Sequence, residues 1–142
     1  MKFKLWVAGI VLIVLLVVAS CTAKPATKSV QVSIDDLTSQ NNITRDVEIA
    51  AGSTLLVSLG SNPSTGFSWS EQAQIGDTAI VRQDKHEFVA TNANGVVGAP
   101  GTEEWTFTAL KKGTTTVSMD YSRPWAGGEK GVWTFKLNVT VK

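Results

Sequence analysis

The chain has 142 residues, with 13 Lys and Arg against 12 Asp and Glu, and its N-terminal stretch through Ser20 holds two of the lysines and no acid. Setting Met1–Ser20 aside leaves 122 residues with a formal charge of −1, which argues against nucleic-acid binding by phosphate neutralisation. That length suits one domain and leaves no room for a second core.

Met1 to Ser20 reads as an export signal: Lys2 and Lys4 give a positive start, Leu5 to Val18 is an uncharged apolar run, and Ala19-Ser20 supplies small residues. The 14 apolar residues fall short of the roughly 20 that span a bilayer as a helix. Cys21 follows directly and is the single cysteine, so the mature chain has no disulfide and no free catalytic thiol. Val18-Ala19-Ser20-Cys21 resembles the lipobox of bacterial lipoproteins. That resemblance implies that Cys21 is acylated and becomes the mature N-terminus, an ordinary cleaved signal being the alternative. It also implies a lipid-anchored protein of the cell envelope, facing the periplasm or the exterior. Thr22 after the cysteine, rather than Asp, favours the outer membrane by analogy with Gram-negative sorting. Thr22 to Lys28, with Pro25 among Ala, Thr and Lys, reads as a solvated tether. The expected organisation is a signal over 1–20, a tether over 21–28 and one domain over 29–142.

From Val30 onward apolar residues recur with period two, the signature of strands with one buried face. Candidates in chain order are Val30-Val32-Ile34, Val47-Ile49, Leu55-Val57-Leu59, Phe67-Trp69, a weaker piece around Phe88, Trp105-Phe107-Ala109, Val117-Met119-Tyr121, and Trp133 to Val141. Glycine and proline clusters separate them, at Gly52, Gly60, Pro63–Gly66, Gly76, Gly95–Gly101, Gly113 and Pro124–Gly128. With no amphipathic helix in view, the expectation is an all-β, immunoglobulin-like antiparallel sandwich of about seven or eight strands. Asp35-Asp36 and Glu103-Glu104 are expected at solvated strand edges.

In a sandwich of up-and-down strands every second connection emerges at the same end. Counting from the strand at Thr54 to Leu59, that end collects three connections: Ser61 to Gly66, Thr91 to Gly101, and Ser122 to Gly131. The strand around Phe88 carries this parity, and without it the count fails.

The first loop, Asn62-Pro63-Ser64-Thr65-Gly66, joins a proline of fixed torsion to a glycine that permits a positive one, so a stiff turn is expected. Taken alone it fits any hairpin. The second, Gly95-Val96-Val97-Gly98-Ala99-Pro100-Gly101, is uncharged and reads by itself as a floppy connection; no Lys-Ser/Thr and no following helix make it a phosphate cradle. The third, Arg123-Pro124-Trp125, places a tryptophan at a loop tip where period-two burial does not explain it, and exposed Trp and Arg commonly anchor interfaces. Trp69, Trp105 and Trp133 lie on strands and are expected in the core.

Read together, NPSTG followed by F-S-W, then GAPGTEEWTF, a K-K-G bend and Y-S-R-P-W resemble the chagasin-type inhibitors of papain-like cysteine peptidases, over essentially all of Val30 to Val141. The resemblance implies an immunoglobulin-like sandwich and a non-enzymatic, reversible, non-covalent inhibitor. Asn62 to Gly66 would enter the catalytic cleft, with Ser64 and Thr65 near the enzyme's cysteine and histidine. Gly98, Ala99, Pro100 and Gly101 would lie along one side. Arg123, Pro124 and Trp125 would embrace the other, Trp125 packing on aromatic surface at the rim. Ser64 stands where many members carry threonine, a departure of one methyl group. The implied partners are a papain-like cysteine peptidase and, through the lipid, a membrane; no cofactor is implied, and a monomer is expected.

Catalysis by this chain finds little support. His86 is the single histidine, beside Glu87, and no serine has a nucleophile-elbow context. One His and scattered carboxylates give no metal-ligand spacing. The runner-up is an envelope lipoprotein using the same loops to bind a glycan or an envelope protein, and a third reading is an inhibitor of another hydrolase such as lysozyme.

Overall fold

Alternation of apolar and polar residues builds nine strands into two sheets packed face to face, as seen in a computed structural model that describes residues 24–91 and 98–142. Cys21 with the segment before it, and Gly95 to Val97, lie outside the described residues. In chain order the elements are β1 (Thr27–Val32), α1 (Ile34–Ser39), β2 (Asn42–Ile49), β3 (Thr54–Ser61), β4 (Ser68–Trp69), β5 (Gln74–Ile75), β6 (Val81–Ala90), β7 (Gly101–Ala109), β8 (Gly113–Ser122) and β9 (Trp133–Val141). One sheet runs β1-β3-β7-β6, the other β2-β9-β8-β4 with β5 also paired to β8.

The core lies between the sheets. Leu55, Val57, Leu59, Trp105 and Phe107 face it from the first, and Val117, Met119, Phe135, Leu137 and Val139 from the second. Each set keeps the strand period of two, so the intervening Thr106, Thr108, Ser118 and Asn138 face outward. Trp69, 1% exposed, caps this core at the end of β4.

The structure corrects five expectations. The sandwich is mixed: five of its seven strand pairs are antiparallel, but β1 pairs β3 and β2 pairs β9 in parallel. A helix does exist, since Asp35 and Asp36 stand in α1 rather than on a strand edge. Ser33 accepts the Asp36 N–H at 3.1 Å while the Asp36 carboxylate accepts the Ser33 N–H at 3.1 Å, a reciprocal cap that starts the helix. The single buried residue Leu37 holds α1 to the core, and a six-residue helix leaves too short a pattern to register as periodic. Glu103 is buried rather than solvated, and Glu104 is half-buried beside Ser58. Finally, β5 was not expected, and β1 starts at Thr27, so Thr27 and Lys28 are paired strand residues rather than tether.

Register fixes where the connections emerge. Ser61 and Ala90 both pair with Gly101, Ser68 pairs with Ser122, and Tyr121 pairs with Trp133. The connections 62–67, 91–100 and 123–132 therefore leave the sandwich at one pole. The weak strand around Phe88 is the ten-residue β6, so the parity count stands. At the opposite pole Thr27 pairs with Thr54 and Val141 with Gly113. The Ala26 N–H donates to Ser53 Oγ at 3.1 Å and the Ala51 N–H to the Lys142 carbonyl at 3.1 Å, so both ends of the domain flank the turn before β3.

Candidate functional site

The first loop is held almost entirely by its own polar groups. Pro63 to Thr65 form a single 3-10 turn, and Asn62 caps it: its Oδ1 accepts from the Ser64 hydroxyl at 2.6 Å and from the Ser64 N–H at 3.3 Å. Thr65 donates its hydroxyl at 2.7 Å and its N–H at 3.1 Å to the Asn62 carbonyl, and the Gly66 N–H donates to the Pro63 carbonyl at 3.0 Å. Gly66 closes the turn at φ +78°, a conformation that costs other residues about 1–2 kcal/mol. Beneath the turn, the Asn62 N–H donates to the Tyr121 hydroxyl at 3.0 Å.

The third loop rests on an aromatic stack. Trp133, Tyr121 and Phe67 lie in succession, with ring centroids 4.7 Å and 5.5 Å apart and planes nearly parallel. Arg123 places its guanidinium 4.5 Å over the Phe67 ring and 5.9 Å from that of Trp125. Backbone and side chain then close the loop: the Arg123 N–H donates to the Glu129 carbonyl at 2.8 Å, the Gly128 N–H to the Trp125 carbonyl at 3.1 Å, and Lys130 Nζ to the same carbonyl at 3.0 Å.

The loops touch. A methyl group on Gly66 would stand 2.7 Å from Cη2 of Trp125, so the indole edge lies directly over the first turn. A methyl group on Gly98, itself at φ +82°, would stand 3.2 Å from Cβ of Ser64. Either addition would force its neighbour to shift, and the two approaches make one surface centred on Ser64, Thr65 and Gly66. Trp125 remains 52% exposed although it packs against Gly66. Among the described residues no group of three or more His, Cys, Asp or Glu side chains is placed to hold a metal ion.

A model of the chagasin family of peptidase inhibitors, family I42, matches residues 48–139. The chain belongs to this family. It is thus one of a family of inhibitors and not of enzymes. Amoebiasin-2 of Entamoeba histolytica is 31% identical over 96 residues, which are 68% of this chain and 76% of that protein. Among solved structures, the cysteine protease inhibitor EhICP2 of Entamoeba histolytica superposes with a TM-score of 0.62 at 24% identity, over 82% of this chain and 96% of that one. PbICP-C, solved in complex with falcipain-2, gives a TM-score of 0.56 at 16% identity over 81% and 99% of the two chains. At these identities the two structures speak for the fold.

Within this chagasin-family domain, the residues expected at the site are gathered at one pole but differ in what they can offer. Pro63, Ser64, Thr65, Pro124 and Trp125 are exposed, as are Gly98 and Pro100. Asn62, Gly66, Ala99 and Arg123 are half-buried, and Asn62 and Arg123 are engaged in holding the loops. Gly101 is buried as the first residue of β7, where a methyl group would clash with the Val89 carbonyl, so glycine there lets β6 and β7 close. Cys21 and Val96-Val97 lie outside the described residues. Sequence reasoning missed the supporting residues Phe67, Tyr121 and Glu103. The parity of Glu103 with Trp105 and Phe107 was the available signal, overridden by its charge.

Proposed function

We propose that this chain is a reversible, non-covalent inhibitor of papain-like cysteine peptidases that presents Asn62–Gly66, Gly98–Pro100 and Arg123–Trp125 to the active-site cleft. The observation that carries the reading is the contact of all three loops at Ser64–Gly66, which makes one projecting surface from three distant parts of the chain. Membership of an inhibitor family and the fold shared with a cysteine protease inhibitor from Entamoeba histolytica support the target class.

The turn geometry supplies a physical basis for inhibition without cleavage. Hydrolysis needs a scissile carbonyl whose oxygen points at oxyanion-stabilising donors, with its carbon against the thiolate. The Asn62 carbonyl is taken by the Thr65 N–H and hydroxyl, and the Pro63 carbonyl by the Gly66 N–H. Those oxygens are turned inward, so the tip cannot be drawn out as an extended substrate unless the turn is broken. Exposed Ser64 and Thr65 then occupy the cleft, while Trp125 anchors on the rim. Because the first and third loops are held by their own bonds before binding, a standard interface of roughly 1,600 Å² carries a reduced ordering cost there.

In this reading the chain is attached to a membrane through Cys21. β1 begins at the pole opposite the three loops, so a lipid there would leave the loops facing away from the bilayer. Two experiments test the proposal. Titration of the chain from Lys24 onward into papain should abolish peptide hydrolysis near stoichiometry, and an undiminished rate at micromolar excess of folded protein rejects the inhibitor reading. Separately, cells supplied with radiolabelled palmitate should label the protein but not its Cys21→Ser variant; a wild-type protein that takes up no label rejects the lipid anchor.

A further inference from the structure

Among the described residues Glu103 is the only buried side chain that carries a formal charge, at 4% exposure. It stands on β7 with the parity of Trp105 and Phe107, so its carboxylate points inward. Such burial is unfavourable unless both oxygens find donors. Oε1 accepts from the Ser61 hydroxyl at 2.8 Å and from the Trp69 N–H at 3.0 Å. Oε2 lies 3.0 Å from Nε2 of His86, whose ring packs on Trp105 with centroids 4.8 Å apart.

The identity of these donors matters. Ser61 is the last residue of β3 and Trp69 the last of β4, and only the first loop, Phe67 and Ser68 separate them along the chain. β3 and β4 belong to different sheets, so no ladder of backbone hydrogen bonds closes the base of that loop as it would in a hairpin. A single carboxylate oxygen bridges the two stems instead, assisted by the Trp69 indole, which donates to the Gly60 carbonyl at 2.9 Å. The second oxygen reaches β6, the strand that leads into the second loop.

We propose that Glu103 is a positioning residue, a buried clamp that sets the spacing of the two stems of the 62–66 turn and ties them to the strand entering the neighbouring loop. Its consequence for inhibition rests on the peptidase-inhibitor reading; its consequence for loop order does not. A side chain of the same shape with an acceptor oxygen should substitute, whereas one that leaves Ser61 and Trp69 unbonded should not.

The test compares Glu103→Ala, Glu103→Gln and a core control at the far pole, Val139→Ala, in the full chain in detergent, by hydrogen-exchange mass spectrometry and by inhibition of papain. Glu103→Ala should speed exchange across residues 61–69 about tenfold while leaving 113–120 near the wild-type rate, because the opening is local. It should weaken papain inhibition about tenfold as well, as expected when buried donors lose their acceptor. Glu103→Gln should stay within about threefold of wild type in both, because its amide oxygen keeps the acceptor. Val139→Ala should lower overall stability without singling out 61–69.

Exchange across 61–69 that rises no more in Glu103→Ala than in Val139→Ala overturns the proposal, and so does a Gln variant as exposed as the Ala variant. If Glu103→Ala does not fold, Ser61→Ala removes one of the two stem bonds without stranding a carboxylate. It should speed exchange across 61–69 at least about threefold, and no change overturns the clamp. A wild-type chain that fails to inhibit papain would reject the peptidase reading alone, leaving the exchange comparison to decide on Glu103.

Discussion

The two poles of the sandwich are closed by different means. At the pole opposite the loops, the bends β2–β3, β5–β6 and β7–β8 all pass from one sheet to the other, and backbone bonds secure them: the Gly52 N–H and Ser53 carbonyl bond to Ala109, and the Leu110 N–H bonds to the Ile80 carbonyl. Those bonds extend the strand ladders, and single hydroxyls assist them, Ser53 Oγ accepting the Ala26 N–H and Thr115 Oγ1 the Asp77 N–H. At the loop pole the 62–67 connection crosses between sheets without a ladder, while 91–100 and 123–132 join neighbours in one sheet, and side chains do much of the closing: the Asn62 cap, the Glu103 carboxylate, the Tyr121 hydroxyl and the stack from Trp133 to Arg123. The contrast teaches that order at a protruding surface has to be encoded residue by residue, whereas order in the bends follows from the sheets themselves.

The tryptophans give the sharpest way to break this comparison. Trp105 is fully buried on β7 and Trp125 is half in solvent. Trp105→Ala should cost about 3–5 kcal/mol of folding stability, read by urea denaturation, because a large cavity opens between the sheets. A loss below about 1 kcal/mol would mean the core does not depend on it. Trp125→Ala should weaken papain inhibition by about 2 kcal/mol or more, as for an aromatic anchor. Its folding stability should stay within about 0.5 kcal/mol of wild type. An unchanged inhibition constant removes Trp125 from the contact surface; a large stability loss would show that the loop pole also carries the fold.

The smallest effect concerns acid. The Ser33 hydroxyl, and then the Ser33 N–H, hold the Asp36 carboxyl below its ordinary value, and the Thr108 hydroxyl followed by Arg82 does the same for Asp84. A carboxyl depressed in the folded state stabilises it above the unfolded value near pH 4, and that contribution disappears as pH falls through the folded value. The melting temperature of Asp36→Asn/Asp84→Asn should therefore lie slightly below wild type at pH 7 and converge on it towards pH 2, with papain inhibition at pH 7 unaffected. A gap that persists at pH 2 would assign the effect to lost shape rather than charge. Weaker inhibition at pH 7 would tie α1, which adjoins the loop pole, to the binding surface.

Most of the framework was legible because the sheet period is short and strict. Trp133 to Val141, Trp105 to Ala109 and Val117 to Tyr121 alternate cleanly, and their register delivers the three loops to one pole. What was not legible depended on partners distant in sequence. β1 reads like any edge strand, and nothing local says that it runs parallel to β3. Glu103 looks solvated until Ser61, Trp69 and His86 are brought around it. Phe67 reads as a core residue, yet it forms the platform on which Arg123 rests. The tips of the loops were readable as motifs; their supports were not, because a stack or a clamp has no spacing of its own.

One further consequence lies in the turn before β3, where residues 26 and 142 both hydrogen-bond. The described chain comes nearly full circle, its ends meeting at the pole opposite the three loops. A few glycines joining Lys142 to Lys24 would complete the ring, and the sequence could then be reopened in the bend at 110–112 with all three loops intact. Whatever is attached at either end, a lipid, a solid support or a second protein, hangs from the same side and leaves the loop pole clear.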